Sequence, residues 1–170
     1  ASGHINIYPN IGTKKAPVYS SNPASTFFLQ NNFYATVGCG DMNNDGKTDL
    51  LIGNFDGRIR VFINTASNGV IAFQQASHPV EVFNAGQNSA PCVADVDGDG
   101  KTDVLIGNSG GQMWFLKNTG TNASPAYTPE QFFNSIDVGS DAIPCMSDID
   151  GDGVMDLLIG NSDGTVSQYK

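Results

Sequence analysis

Residues Gly3 to Asn10, Gly-His-Ile-Asn-Ile-Tyr-Pro-Asn, alternate apolar and polar side chains, which predicts a half-buried β-strand. The pattern returns at Gly57 to Asn64, at Gly111 to Asn118 and at Gly164 to Lys170. Ahead of each later copy stands a compact apolar run: Leu50-Leu51-Ile52-Gly53-Asn54, Val104-Leu105-Ile106-Gly107-Asn108 and Leu157-Leu158-Ile159-Gly160-Asn161. Runs of that length predict buried strands. Aromatic residues Tyr19, Phe73 and Tyr127, each 54 positions from the next, mark an outer strand after the first three copies. Further extended segments are expected around Phe27-Phe28-Leu29, Val80-Glu81-Val82-Phe83 and Phe132-Phe133. No long stretch has helical period, and none approaches the ~18 consecutive apolar residues of a membrane helix.

Read in order, each unit is an inner strand, a loop, a Leu/Ile strand, a glycine-led alternating strand and an outer aromatic strand. Four antiparallel strands in about 53 residues is the size of one propeller blade. The fold class predicted is therefore all-β: three propeller-like four-stranded antiparallel blades in a partial or open β-propeller, the last lacking its outer strand. The expected divisions are 1–30, a pair equivalent to the third and fourth strands of a blade (Gly3 to Asn10, then the Tyr19 region); 31–84, repeat 1; 85–137, repeat 2; and 138–170, an incomplete repeat 3. No linker or low-complexity segment separates them, so one continuous domain is expected. The chain begins at Ala1, which is read as a removed leader or an excised piece.

The chemistry lies in the loop before each Leu/Ile strand. Asp95-Val96-Asp97-Gly98-Asp99-Gly100-Lys101-Thr102-Asp103 is repeated as Asp41 to Asp49 and as Asp148 to Asp156. Oxygen donors at positions 1, 3 and 5 curl toward one point, glycine at position 6 permits the turn, and the position 7 carbonyl faces the same point. Hard oxygen donors in a flexible cage suit Ca²⁺ better than Mg²⁺ or Zn²⁺. The expected ligands are Asp41, Asn43, Asp45, Lys47 and Asp49; Asp95, Asp97, Asp99, Lys101 and Asp103; and Asp148, Asp150, Asp152, Val154 and Asp156. Lys47, Lys101 and Val154 would supply backbone oxygen only. Position 12, a glutamate in an EF-hand, is Ile52, Ile106 and Ile159 here, so the loop must close with its position 9 aspartate. Solvated turns without metal are the plain alternative.

Charge sharpens this picture. The formal charge is −9, and 11 of the 17 acidic residues lie in these loops. Three divalent ions would bring the net charge to about −3, so the acidity reads as a metal protein without its metal. No basic stripe exists to neutralise nucleic-acid phosphates. Cys39, Cys92 and Cys145, one per repeat, read as small buried hydrophobes on the inner strand. His4 and His78 have no spaced nucleophile partners and read as surface residues. Trp114, mid-strand beside Phe115, reads as blade packing ahead of a sugar platform. Asn122-Ala123-Ser124 is a glycosylation sequon in a surface turn, weakened by Pro125.

The D-x-D/N-x-D-G-x-x-D loop, followed by LLIGN or VLIGN and a glycine-led strand, resembles the FG-GAP/VCBS repeat family known from integrin α-subunit propellers and many secreted proteins. The resemblance covers nearly the whole chain. It implies a four-stranded blade with Ca²⁺ in its first hairpin, three ions per chain, and leaves function open among adhesion, sugar binding, scaffolding and enzyme accessory roles. The function expected is a secreted, extracellular, non-enzymatic, calcium-stabilised structural or adhesive protein. It would assemble head-to-tail with its own copies by strand complementation, in a filament or ring. A lectin-like glycan-binding propeller and an accessory domain of a larger secreted protein are the alternatives.

Overall fold

The computed structural model describes residues 3–29, 34–68, 70–130 and 135–170. Its strands form antiparallel meanders. β1 (Gly3–Ile7) pairs with β2 (Ser25–Leu29). The first full sheet has the order β3 (Thr36–Gly40), β4 (Asp49–Gly53), β5 (Arg60–Asn64), β6 (Phe73–Ala76). The second repeats it with β7 (Ala90–Ala94), β8 (Asp103–Gly107), β9 (Met113–Asn118) and β10 (Tyr127–Glu130). The third has three strands, β11 (Ile143–Ser147), β12 (Asp156–Gly160) and β13 (Val166–Tyr169). The fold is all-β, and the two four-stranded sheets have the form of propeller-like blades.

In the two four-stranded sheets the apolar runs become strands buried along their whole length. Every residue of β8 is buried. Side chains alternate across a strand, so Val104 and Ile106 join Leu51, Ile59 and Val61 of the first sheet, while Leu105 joins Leu157 and Ile159 of the third. Burying each such side chain is worth about 1.5–3 kcal/mol, so the contacts between sheets are the core. The strand pair at the start follows the same rule: Ile5 packs on Leu50, Ile52 and Phe62. Inner strand β7 lies against both β3 and β11.

Close approach of the sheets sets the glycines that end the apolar runs. A methyl group on Gly53 would strike the Ser89 carbonyl, and one on Gly107 would strike the Ala142 carbonyl. Gly160, the equivalent residue of the third sheet, has nothing within 4 Å.

Several expectations change. Val80 to Phe83 is not extended; Pro79–Val82 forms a 3-10 helix. Pro79 sets its first turn, and the His78 side chain accepts from the Val80 N–H at 3.4 Å. His78 itself is buried, not on the surface, with its ring 5.7 Å from that of Tyr127. Burial pushes its pKa down, against the opposing pull of the Met42 backbone and Asp49. His4 is exposed. In the first 30 residues the partner strand of β1 is Ser25–Leu29, and Tyr19 makes only an isolated bridge to Asn10. Phe132-Phe133 lies outside the described residues. Trp114 packs edge-on against Phe83 at 5.1 Å, in the core between the first and second sheets.

The cysteines depart most. Cys39 and Cys145 are exposed, and only Cys92 is partly buried between sheets. They do not share a register either: Cys39 pairs with Leu50, whereas Cys92 and Cys145 pair with Leu105 and Leu158. Leu50 is equivalent to Val104, not to Leu105. A shift of one residue sends a side chain to the other face, so Cys39 points back toward β1 and the other two point onward along the chain.

Gly53→Ala and Gly107→Ala should each destabilise the fold by about 1–3 kcal/mol through overpacking. Gly160→Ala should stay within about 0.5 kcal/mol in dilute solution. Urea denaturation of the three variants reads this out, and equal losses at all three sites would contradict the arrangement of sheets.

Candidate metal loops

Each acidic loop joins an inner strand to the buried strand beside it, so both of its ends are anchored. Its backbone turns at position 6, where Gly46, Gly100 and Gly153 have φ of 81°, 81° and 88°. Those values favour glycine, because a side chain would strain the left-handed conformation. Position 4 is also left-handed, as Asn44, Gly98 and Gly151.

The position 1 carboxylates organise the turn from within. Oδ2 of Asp41, Asp95 and Asp148 accepts from the backbone N–H of Gly46, Gly100 and Gly153 at 2.8, 2.9 and 3.0 Å. Position 5 carboxylates accept from the position 7 N–H: Lys47 to Asp45 at 2.9 Å, Lys101 to Asp99 at 3.0 Å, Val154 to Asp152 at 2.8 Å. The lysine ammonium groups, assigned no role from the sequence, each reach the same carboxylate at 3.1 Å. The Lys47 hydrogen bond holds Asp45 below the usual carboxylate range. At Asp99 desolvation opposes the shift, and the Lys101 hydrogen bonds prevail.

Two loops bring three carboxylates to one point. Oxygens of Asp95, Asp97 and Asp99 lie within 4.8 Å of one another, as do those of Asp148, Asp150 and Asp156. Asp95 Oδ1 is buried with no hydrogen-bond partner. A buried carboxylate oxygen left bare among other carboxylates is a poor arrangement for protons and a good one for a hard cation. The donor set therefore fits Ca²⁺.

The position 9 aspartates are placed differently from a purely ligating residue. Asp49, Asp103 and Asp156 are buried at the start of their strands. Asp49 accepts from Met42 N and Asn64 N, both at 2.8 Å. Asp103 accepts from Val96 N at 3.1 Å and Asn118 N at 2.7 Å, and Asp156 accepts from Ile149 N at 3.0 Å. Each thus ties its loop to the strand behind it, and Asp49 and Asp103 also hold the end of the third strand of the sheet. Burial nonetheless pushes the Asp103 carboxyl up, against these two N–H groups.

Other groups escaped the sequence reading. Lys117 and Lys170, at the end of the third strand in the second and third sheets, pair with the position 3 residues Asp97 and Asp150, the latter at 2.6 Å. The first sheet has Ile63 at that place and Asn43 at position 3, so lysine occurs where the loop carries the extra acid. Their 53-residue spacing was the available signal. Asn122 donates to the Gly100 carbonyl at 3.1 Å and accepts from Thr102 N at 2.7 Å, so the sequon asparagine braces the second loop. Asn108 and Asn161, closing the apolar runs, hold the next turn and reach the Ala85 and Val138 carbonyls at 2.7 and 2.8 Å. Between the second and third loops a cavity of about 460 Å³ opens, lined by Asp95, Val96, Asp97, Gly98, Gly153, Val154 and Met155.

Meandering sheets stacked through their buried strands, each full sheet opened by an acidic hairpin, define an all-β repeat protein of the blade type. The family description "FG-GAP-like repeat" matches residues 41–106 and 95–159, and the chain belongs to that family. Integrin alpha-4 of Xenopus laevis is 27% identical over 146 residues, 75% of this chain and 14% of the relative. Cartilage acidic protein 1 is 26% identical over 141 residues in Xenopus tropicalis and 22% over 135 in Homo sapiens, in both cases 75% of this chain. The chain spans about a fifth or less of the length of these relatives. Among the described residues no helix is long and apolar enough to cross a membrane.

Asp103→Ala strands two backbone N–H groups in a buried place, each worth about 1–3 kcal/mol. The variant should lose roughly 2–4 kcal/mol of stability even in the presence of chelator, by urea denaturation. A loss that vanishes once calcium is removed would reduce Asp103 to a ligand alone.

Proposed function

We propose that the chain is a secreted, calcium-stapled structural or adhesive module that extends by stacking one blade on the next, including blades from other copies of itself. On this reading it acts without catalysis, with 11 of the 17 acidic residues placed in the loops. The extracellular setting is carried over from the integrin and cartilage relatives. On this reading the sheets form part of an open propeller.

Asp41, Asn43 and Asp45, with their counterparts in the other loops, would hold one ion each, joined by the carbonyls of Lys47, Lys101 and Val154 and by the position 9 carboxylates. Bound calcium supplies positive charge that lets these carboxylates sit together. Position 9 then serves twice, facing the loop and holding the backbone behind it.

The observation that carries the assembly reading is the uncovered end of the third sheet. Ile143 and Val166 are 54% and 67% exposed, and Gly160 keeps a glycine that its equivalents need only where another sheet comes close. On the first sheet Val37, opposite Ile52, is 45% exposed. The free edges also complement each other. Among the described residues β1 pairs with β2 alone and the third sheet holds three strands. β1 offers Ile5 and Ile7 on the face where β13 has Val166 and the exposed Gln168. β1 of a second copy, taking the place of β13 beside β12, would bring β2 with it and complete a four-stranded blade. Heterologous contacts of this kind build rings or filaments.

Two outcomes follow. With calcium about tenfold above a Kd of ~10⁻⁴–10⁻³ M, each site adds ~1.4 kcal/mol, so chelation should lower Tm by about 10 °C. Elemental analysis should find three calcium ions per chain; a well-folded sample with none would end the metal reading. Negative-stain microscopy should show assemblies that disappear with Gly160→Ala or on removal of residues 1–10. Monodisperse particles indifferent to both changes would refute assembly by stacking.

A further inference from the structure

Resting on the calcium reading, we propose that Lys117 and Lys170 are built-in counterions: they steady the second and third loops without metal and lower the affinity of those loops for it. The third loop, the one with no lysine at position 7, is then the tightest calcium site. Charge balance differs from loop to loop. The first loop has three carboxylates, Asp41, Asp45 and Asp49, and one lysine, Lys47, on Asp45 at 3.1 Å. The second has four carboxylates and two lysines. Lys101 sits on Asp99 at 3.1 Å, and Lys117 pairs with Asp97 and lies 3.6 Å from Asp99. The third has four carboxylates and Lys170, on Asp150 at 2.6 Å, while Val154 stands where the others carry Lys47 and Lys101. Counted this way the loops carry −2, −2 and −3.

Lys117 and Lys170 come from outside the loops, each 20 residues beyond the carboxylate it meets. An ammonium group among carboxylates relieves part of the repulsion that a bound cation would otherwise relieve. The same group then repels an arriving cation, so one side chain has two opposite effects. It stabilises the metal-free loop and weakens the metal-bound one. The first loop avoids the conflict with neutral Asn43, and Ile63 takes the place of the lysine. Relief is least complete in the third loop, where oxygens of Asp148, Asp150 and Asp156 lie within 4.8 Å of one another and one lysine attends four acids. Ligand charge is one of the quantities that set calcium affinity in oxygen cages.

The test is calcium titration of the full chain by calorimetry at low ionic strength, paired with thermal melts in chelator. Lys117→Met and Lys170→Met should each tighten one binding step about three- to tenfold. In chelator the same variants should melt about 1–3 °C below the unaltered chain. Val154 is 68% exposed, so Val154→Lys is accommodated; it should weaken the tightest step by about the same factor. Salt should shrink all of these differences, because the pairs are open to solvent. Unchanged or weaker binding once either lysine is removed would overturn the proposal, as would an unchanged tightest step in Val154→Lys. An unaltered chain that binds no calcium removes the calcium reading as well. Calcium bound in steps that ignore all three variants removes the counterion role alone.

Discussion

Everything in this molecule depends on covering the second strand of the two four-stranded sheets from both sides. β8 has no exposed residue because Val104 and Ile106 face one neighbouring sheet and Leu105 the other. A strand so apolar cannot be solvated on either face, so a lone sheet of this sequence has no stable form. Stacking supplies the core, and the glycines at the strand ends let neighbouring backbones come near enough to exclude water. Leu158, on the face of β12 turned away from the second sheet, is only half-buried.

The acidic loops answer a second, electrostatic constraint. Three or four carboxylates within a nine-residue hairpin repel one another unless their charge is balanced. The chain meets part of this demand itself. Backbone N–H groups point at the position 1, 5 and 9 carboxylates, and lysines stand beside positions 3 and 5. Lys117 and Lys170 accompany Asp97 and Asp150, whereas Ile63 accompanies the neutral Asn43. What remains, the bare Asp95 oxygen above all, is a place for a cation. The loop is therefore a joint as much as a ligand site: through Asp49 and Asp103 it connects the first hairpin to the end of the third strand.

Much of this was legible in the residues. The loop and the apolar run recur in phase, so the strand order of the full sheets and the gathering of carboxylates in the second and third loops could be read from spacing. The errors have common causes. Val80 to Phe83 looks extended by composition, but Pro79 and the His78 side chain favour a tight turn. His78 is polar and lies in a connection, yet the Tyr127 ring of the next sheet encloses it. At position 9 spacing shows a carboxylate that faces the loop but not that it also accepts from the backbone N–H groups behind it.

By itself the sequence determined the repeat, the alternation of buried and half-buried strands, the turn geometry at the glycines and the sites where acids gather. All of these are local, set by spacings of a few residues. Tertiary structure alone decided which face each side chain presents. The three cysteines look alike in sequence, one before each loop, but pairing register places Cys39 opposite Leu50 and Cys92 opposite Leu105. Because side chains alternate with a period of two, that single step sends Cys39 to one end of the stack and Cys145 to the other.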